Sequence, residues 1–251
     1  MDHHRSSRSL RRAQWSLQGH GHSRGNSPHR TRHGPAPVKI DPALIVLAKA
    51  PVAGRSKTRL HPPLTMSQAA ELAEACLVDT LKAVAETPSA GRYLVLDGKP
   101  GPWLPRGFDV VPQRGRGLDE RLTSAFEDAR TPSLLIGMDT PQINAQLLDD
   151  ALASLRAGSD AVLGPAPDGG YWAVGLKSQP GKAFMGVPMS AAITLDAQVQ
   201  RFKSLGLNWA LLPALRDVDV WADALEVAAV APASRFATEL SGMAQLLEQP
   251  A

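Results

Sequence analysis

The 251-residue chain is 43% hydrophobic and 20% charged, long enough and apolar enough to bury a sizeable core. Its net charge of +3 is uneven: eight Arg or Lys against Asp2 alone precede Asp41, so that stretch holds +7 and the remainder −4, which argues against a nucleic-acid-binding body. One cysteine, Cys76, excludes an internal disulfide framework and a multi-cysteine zinc site, and no apolar run reaches the roughly 20 residues of a membrane span.

Residues 1–40 read as a basic, disordered tail rich in Arg, Ser, His and Gly, with too few large apolar residues to offset the entropy of ordering. Six of the seven histidines stand there without a fixed scaffold, a poor basis for a specific metal site. The segment has the composition of a transit peptide but weak amphipathicity, and a start of translation near Val38 is an alternative reading. Without a secretory signal pattern, a cytoplasmic location is expected. Residues 41–251 are expected to form one domain.

That domain opens with Ala43 to Ala48 (ALIVLA), a continuous apolar run that suits a strand covered on both faces. Lys49 to Leu60 (KAPVAGRSKTRL) follows, with Lys49, Arg55, Lys57 and Arg59 as cations and Gly54 permitting close backbone approach. Such a loop can neutralise a diphosphate or triphosphate. It is not a P-loop, since Ser56 and Pro51 stand where the two glycines belong, and no G-x-G-x-x-G fingerprint is present. The alternative is a solvated basic loop.

Ser67 is a possible N-cap for a long helix ending near Thr87, after which Arg92 to Leu96 and Phe108 to Val111 read as strands. Gly115 to Arg121 (GRGLDER) is a second cationic turn. Arg121 is its candidate nucleotide or phosphate ligand, with an ion pair to nearby Asp119 or Glu120 as the alternative. Leu118 to Ala129 has helical spacing, Ser133 to Ile136 is again a strand, Asn144 can cap a helix to about Ala157, and Asp160 to Leu163 resumes the sheet. Alternation of this kind implies an α/β, doubly wound, mostly parallel sheet flanked by helices, with ligands at the carboxyl ends of the strands.

At one such end stands Asp139, in Gly137 to Pro141 (GMDTP). A carboxylate there can hold Mg²⁺ or Mn²⁺, which take one or two carboxylates and complete their shell from water and phosphate, or it can merely form a turn. Gly164 to Trp172 joins another strand end to Asp168, Gly169, Gly170, Tyr171 and Trp172. The paired glycines admit a ligand to the backbone, and Tyr171 offers an aromatic face to a sugar or base. Asp168 can bind sugar hydroxyls or act as catalytic general base; the alternative is a D-G-G hairpin turn with the aromatic rings in the core, the reading adopted for Trp172. Tyr171 to Leu176 reads as an edge strand. Ser190 is read as the N-cap of a helix from about Ala191 to Leu205, with Thr194 pointing toward the ligand. Trp209 to Leu212 is a last strand before helical sequence to the C-terminus.

KAPVAGRSKTRL, GMDTP, DGGYWAVGL (Asp168 to Leu176) and DVD (Asp217 to Asp219), in that order, resemble the DUF2064 family of GT-A-like glycosyltransferases, of the nucleotide-diphospho-sugar transferase superfamily. That family is similar to the guanylyltransferases of molybdenum-cofactor and phospholactate metabolism. The resemblance spans roughly residues 43–223 and implies a single GT-A-like (Rossmann-like) domain. It implies a nucleotide over the first-strand loop and a divalent cation, Mg²⁺ or Mn²⁺, on Asp139 with Asp219 as second ligand. Val220 stands where the family often has Thr, and Met138 where Ser is more usual.

The function expected is metal-assisted transfer of a sugar from a nucleoside-diphosphate sugar to a small acceptor. The alternatives are nucleotidyl transfer from an NTP to a phosphorylated small molecule, and a non-catalytic nucleotide-binding protein. Neither nucleic acid nor membrane is an expected partner, and the sequence leaves the oligomeric state open.

Overall fold

The computed structural model describes residues 41–248 apart from residues 131 and 179; the expected basic tail lies outside the described residues. Apolar runs bounded by Gly and Pro alternate with amphipathic helical segments, and the chain folds accordingly. Strand β1 (Ala43–Lys49) leads through a 3₁₀ turn at Thr58–Leu60 to helix α1 (Met66–Glu86), then β2 (Arg92–Asp97) and β3 (Asp109–Pro112). After α2 (Leu118–Ala129) come β4 (Ser133–Gly137), α3 (Ala145–Arg156), β5 (Ala161–Pro165) and β6 (Tyr171–Leu176). Short α4 (Pro180–Phe184), α5 (Thr194–Ser204), β7 (Trp209–Leu211), α6 (Trp221–Val230) and α7 (Arg235–Glu248) complete it.

The seven strands lie in the order β3-β2-β1-β4-β6-β5-β7. β1 pairs in parallel with β2 and β4, and β5 in parallel with β7, whereas β6 runs antiparallel to both β4 and β5. The sheet is therefore mostly parallel and doubly wound, as the alternation implies. One expectation is corrected: β6 is an interior strand, not an edge. Its residues Trp172 to Leu176 are all buried, so it needs neighbours on both sides, and β3 and β7 form the edges.

Alternate residues of the strands feed two apolar layers. Leu44, Val46, Leu94, Leu134 and Ile136 meet Leu77, Leu81 and Val84 of α1 and Leu148, Leu152 and Leu155 of α3. Ile45, Val95, Leu135, Leu163 and Val174 meet Leu122 and Phe126 of α2, Phe184 of α4 and Phe202 of α5. A third cluster joins Leu60, Leu64, Leu72 and Cys76 to Val218, Val227, Phe236 and Leu240, tying the end of the basic loop to the C-terminal helices. Cys76 is fully buried there, and burial pushes its thiol well above the ordinary range, which leaves it inert.

Helix boundaries differ from expectation where local hydrogen bonding decides them. Thr65 rather than Ser67 caps α1: Gln68 N donates to Thr65 Oγ1 (3.2 Å) and Thr65 N to Gln68 Oε1 (2.9 Å), a reciprocal capping box. Ser67 instead donates to Glu71 at 3.1 Å. Asn144 caps α3 as expected, accepting from Leu147 N at 2.9 Å. Helix α5 starts at Thr194, three residues later than the spacing predicts, and Ser190 is no N-cap but adopts φ 55° in the preceding loop.

Candidate active site

The carboxyl ends of β1 and β4 surround a cleft of about 680 Å³. Lys49, Arg55, Lys57, Arg59, Arg121, Asp139, Asp168 and Asp219 line it together. Gly54, Gly169, Gly170, Tyr171 and Thr194 are not among its lining residues.

The basic loop owes its shape to Ser56, one of the two residues that stand where a P-loop has glycine. Ser56 is buried; its Oγ accepts from Val52 N (3.1 Å) and donates to Ala50 O (3.2 Å), while Arg55 N and Ser56 N both donate to Val52 O at 3.0 Å. This closed turn places the cations that follow. Lys57 takes a left-handed backbone (φ 47°), which aims its side chain inward, and Leu60 anchors the far end in the third apolar cluster. Gly54 sits at φ 76° on the exposed outer side of the turn, serving its shape.

Lys57 is the centre of the site. Its side chain is only 6% exposed, and its ammonium donates to Asp139 Oδ1 and to the carbonyl of Val218. Burial is the largest influence and works against the charge, but the attractions that oppose it, foremost the charge and hydrogen bond of Asp139 and then the charge of Asp219, together hold the ammonium above its ordinary pKa. The segment 217–219 is in turn stitched to the end of β4, because Val218 N donates to Asp139 O at 2.9 Å. Arg59 lies 3.6 Å from Asp219, but both are well exposed and the pair is loose.

Asp217, which sequence reasoning passed over in favour of Asp219, is more deeply set. Its Oδ1 is buried without a hydrogen-bond partner among the described residues. Burial, then the charges of Asp139 and Asp168, push its carboxyl up to about 7 against the opposing pull of Lys57. Asp219 is raised as well, first by burial and then by Asp139 and Asp168, with Lys57 and Arg59 opposing. The signal available in the sequence was the D-V-D spacing: with Val218 fully buried between them, the two carboxylates flank the pinned residue.

Asp168 is both a turn former and a cleft residue. Its Oδ1 accepts from Gly170 N at 2.8 Å, and its second oxygen has no hydrogen-bond partner among the described residues. Gly169 is required where it stands: at φ 88°, a Cβ would lie 2.0 Å from Ala192 O. The glycine thus lets the 168–170 turn press against the Ser190–Ala192 wall of the cleft. Tyr171 and Thr194, expected at the ligand, serve packing instead. Tyr171 directs its hydroxyl toward Gln198 Oε1 (3.4 Å) and Met189 Sδ (3.7 Å), and burial pushes its pKa upward. Thr194 is 4% exposed, with Oγ1 in hydrogen-bond reach of Ala191 O (2.7 Å) and Pro188 O (2.9 Å).

Gln113 was not singled out from the sequence. Standing just past β3, it donates through Nε2 to Ala48 O (2.7 Å) and Val95 O (3.3 Å) and accepts from Arg121 Nη1 at 3.4 Å. Arg121 also donates from Nε to Gly115 O at 3.3 Å, so it is turned into the cleft and not toward Asp119 or Glu120. A Gln immediately after a strand end was the only cue. Val220, in place of the family's Thr, leaves the start of α6 without a hydroxyl; Asp223 Oδ2 accepts from Asp219 N (3.2 Å) and Val220 N (3.0 Å) instead.

Oxygen donors alone make up the acidic side, which suits a hard divalent cation, and the unpartnered oxygen of Asp217 fits the same chemistry. Among the described residues no three His, Cys, Asp or Glu converge at metal-binding distance. The fit is therefore to a cation held by one or two carboxylates, with substrate phosphates as the other ligands.

The fold has solved counterparts. A crystal structure from Desulfovibrio desulfuricans G20, provisionally designated a nucleotide-diphospho-sugar transferase, superposes with a TM-score of 0.73 at 25% identity, covering 84% of this chain and 98% of that one. The 4-diphosphocytidyl-2C-methyl-D-erythritol synthase of Anaerococcus prevotii DSM 20548 shares the fold with a TM-score of 0.50 at 11% identity, over 78% of this chain and 100% of that one. The chain thus has the α/β architecture of the nucleotide-diphospho-sugar transferases, and its class is transferase. Within that class, residues 80–191 match the family model described as "Uncharacterized protein conserved in bacteria (DUF2064)", the family its motifs resemble. No curated protein matches the sequence significantly. No helix among the described residues is long and apolar enough to cross a membrane.

Proposed function

We propose that this protein transfers a sugar from a nucleoside-diphosphate sugar to a small acceptor. The observation that carries this reading is the meeting, in one cleft, of the basic loop after β1 with the carboxylates after β4 and before α6.

In this reading Lys49, Arg55, Arg59 and Arg121 bind the diphosphate and stabilise the charge that develops on it as the anomeric C–O bond breaks, the kind of electrostatic role that often dominates catalysis. Gln113 holds Arg121 in place for this. Asp168, with one oxygen unpartnered among the described residues, accepts the proton of the acceptor hydroxyl as its oxygen forms the new bond to the anomeric carbon. A divalent cation held by Asp139 and Asp219 would add positive charge beside the departing diphosphate.

Thermal-shift measurements with nucleotides and nucleotide sugars, with and without Mn²⁺, identify the donor through the stabilisation that binding confers. Asp139→Asn is expected to lower turnover by about 10²–10³. Unchanged turnover in that variant would sink the assignment.

The same cleft supports a second reading, nucleotidyl transfer from an NTP to a phosphorylated acceptor. The observation in its favour is the number of cations: four line the cleft besides Lys57, enough for a triphosphate. Incubation with labelled GTP and, separately, with UDP- and GDP-sugars distinguishes the two, because only nucleotidyl transfer releases pyrophosphate.

A further inference from the structure

Lys57 does not stand in the cleft as its neighbours do. Arg59 is 75% exposed, whereas the Lys57 side chain is 6% exposed and has its ammonium on Asp139 Oδ1 and Val218 O. Of the described residues it is the cation at the middle of the acidic group, its charge felt by Asp139, Asp217 and Asp219 alike. The place a divalent cation would take beside Asp139 thus already holds a positive charge.

A second cation on the same carboxylate would face that ammonium across a few ångströms in a partly desolvated setting, where repulsion is much stronger than in water. The ammonium can leave only toward another anion, since an unpaired charge is costly to bury. A diphosphate in the cleft, which Lys57 also lines, supplies that anion. We propose that Lys57 is the resident counter-cation of Asp139, and that a divalent cation enters this site by displacing it, so that metal and diphosphate arrive together. The proposal rests on the metal reading given above. It assigns Lys57 two successive partners, Asp139 before the donor binds and the donor's phosphates afterwards.

The test uses Mn²⁺ alone, without nucleotide, at fixed pH, with free Mn²⁺ read by electron paramagnetic resonance in the presence of the full-length chain. Lys57→Met is expected to bind Mn²⁺ at least about tenfold more tightly than the wild type. Adding Asp139→Asn to that variant is expected to abolish the gain. Should Lys57→Met fail to fold, Lys57→Gln keeps a hydrogen-bond donor toward Asp139 and Val218 O while removing the charge, and the same gain is expected. Equal Mn²⁺ affinity in wild type and charge-removed variants overturns the displacement while leaving the metal reading in place. No Mn²⁺ binding by any of them overturns the displacement, and no Mn²⁺ binding even when UDP and GDP are added overturns the metal reading as well.

Discussion

Asp139 and Lys57 cannot be altered independently. The sequence presents one as a metal ligand and the other as a phosphate ligand, and nothing in a linear reading brings positions 57 and 139 together; a left-handed residue and the end of β4 do so. Removing one partner of a fully buried pair costs about 3–5 kcal/mol. Asp139 is 42% exposed, so water compensates part of the loss. Asp139→Asn is therefore expected to lower stability by about 1–3 kcal/mol as well as slowing turnover. Chemical denaturation checks this, with Lys57→Met/Asp139→Asn recovering part of the loss. Asp217 gives a pH signature. Its folded pKa, about 7, lies above the value for an unfolded Asp, so its protonated form favours folding. That contribution is complete below the unfolded pKa and is lost as pH rises toward 7. In chelator, Asp217→Asn should thus raise the melting temperature more at pH 8 than at pH 5, by about 2–4 °C for each kcal/mol regained. An equal change at both values would contradict the carboxyl's placement.

Among the elements, the strands were the more legible, because continuous apolar runs such as Ala43 to Ala48 and Ser133 to Ile136 admit little else. The placement of β6 was not legible: strand order depends on which neighbours bury Trp172 and Val174, and no local pattern in Tyr171 to Leu176 states it. Loop geometry was half legible. Asp168, Gly169 and Gly170 were seen as a turn or a site, and the fold makes the turn a wall of the site, while Tyr171 and Thr194 turn inward because their hydroxyls find partners there. Two glycines with similar backbones separate conformational strain from crowding. Gly54→Ala meets no atom within 4 Å and should cost only the left-handed penalty, about 1–2 kcal/mol. Gly169→Ala would also collide with the backbone of Ala192, and should lose more stability than Gly54→Ala together with nucleotide affinity. Paired melting curves with and without a bound nucleotide measure both effects. Thr65→Ala, which opens the capping box of α1, is expected to cost about 1 kcal/mol.

At the scale of the molecule, the third apolar cluster links the far C-terminus to the chemistry. Phe236 and Leu240 of α7 pack with Leu72 and Cys76 of α1 and with Leu60 at the end of the basic loop. Phe236→Ala, about 3–5 kcal/mol as a buried aromatic truncation, should therefore loosen the loop although it lies far from it in sequence. Cys76 reports this directly: a thiol reagent should leave it untouched in the native protein and label it measurably faster in Phe236→Ala. Equal labelling rates would mean that α7 does not seal the cluster.

Trp172 of β6 gives the protein an optical consequence. Its indole covers the face of Gly164, is almost wholly buried, and donates from Nε1 to Pro213 O at 3.0 Å, four residues before Asp217. Trp103, Trp209 and Trp221 are partly exposed. The blue-most tryptophan emission of the folded domain thus belongs to a ring tethered to the loop that leads from β7 into the acidic segment. When ligand or metal shifts that segment, the colour of Trp172 is the signal that changes, and Trp172→Phe should remove it.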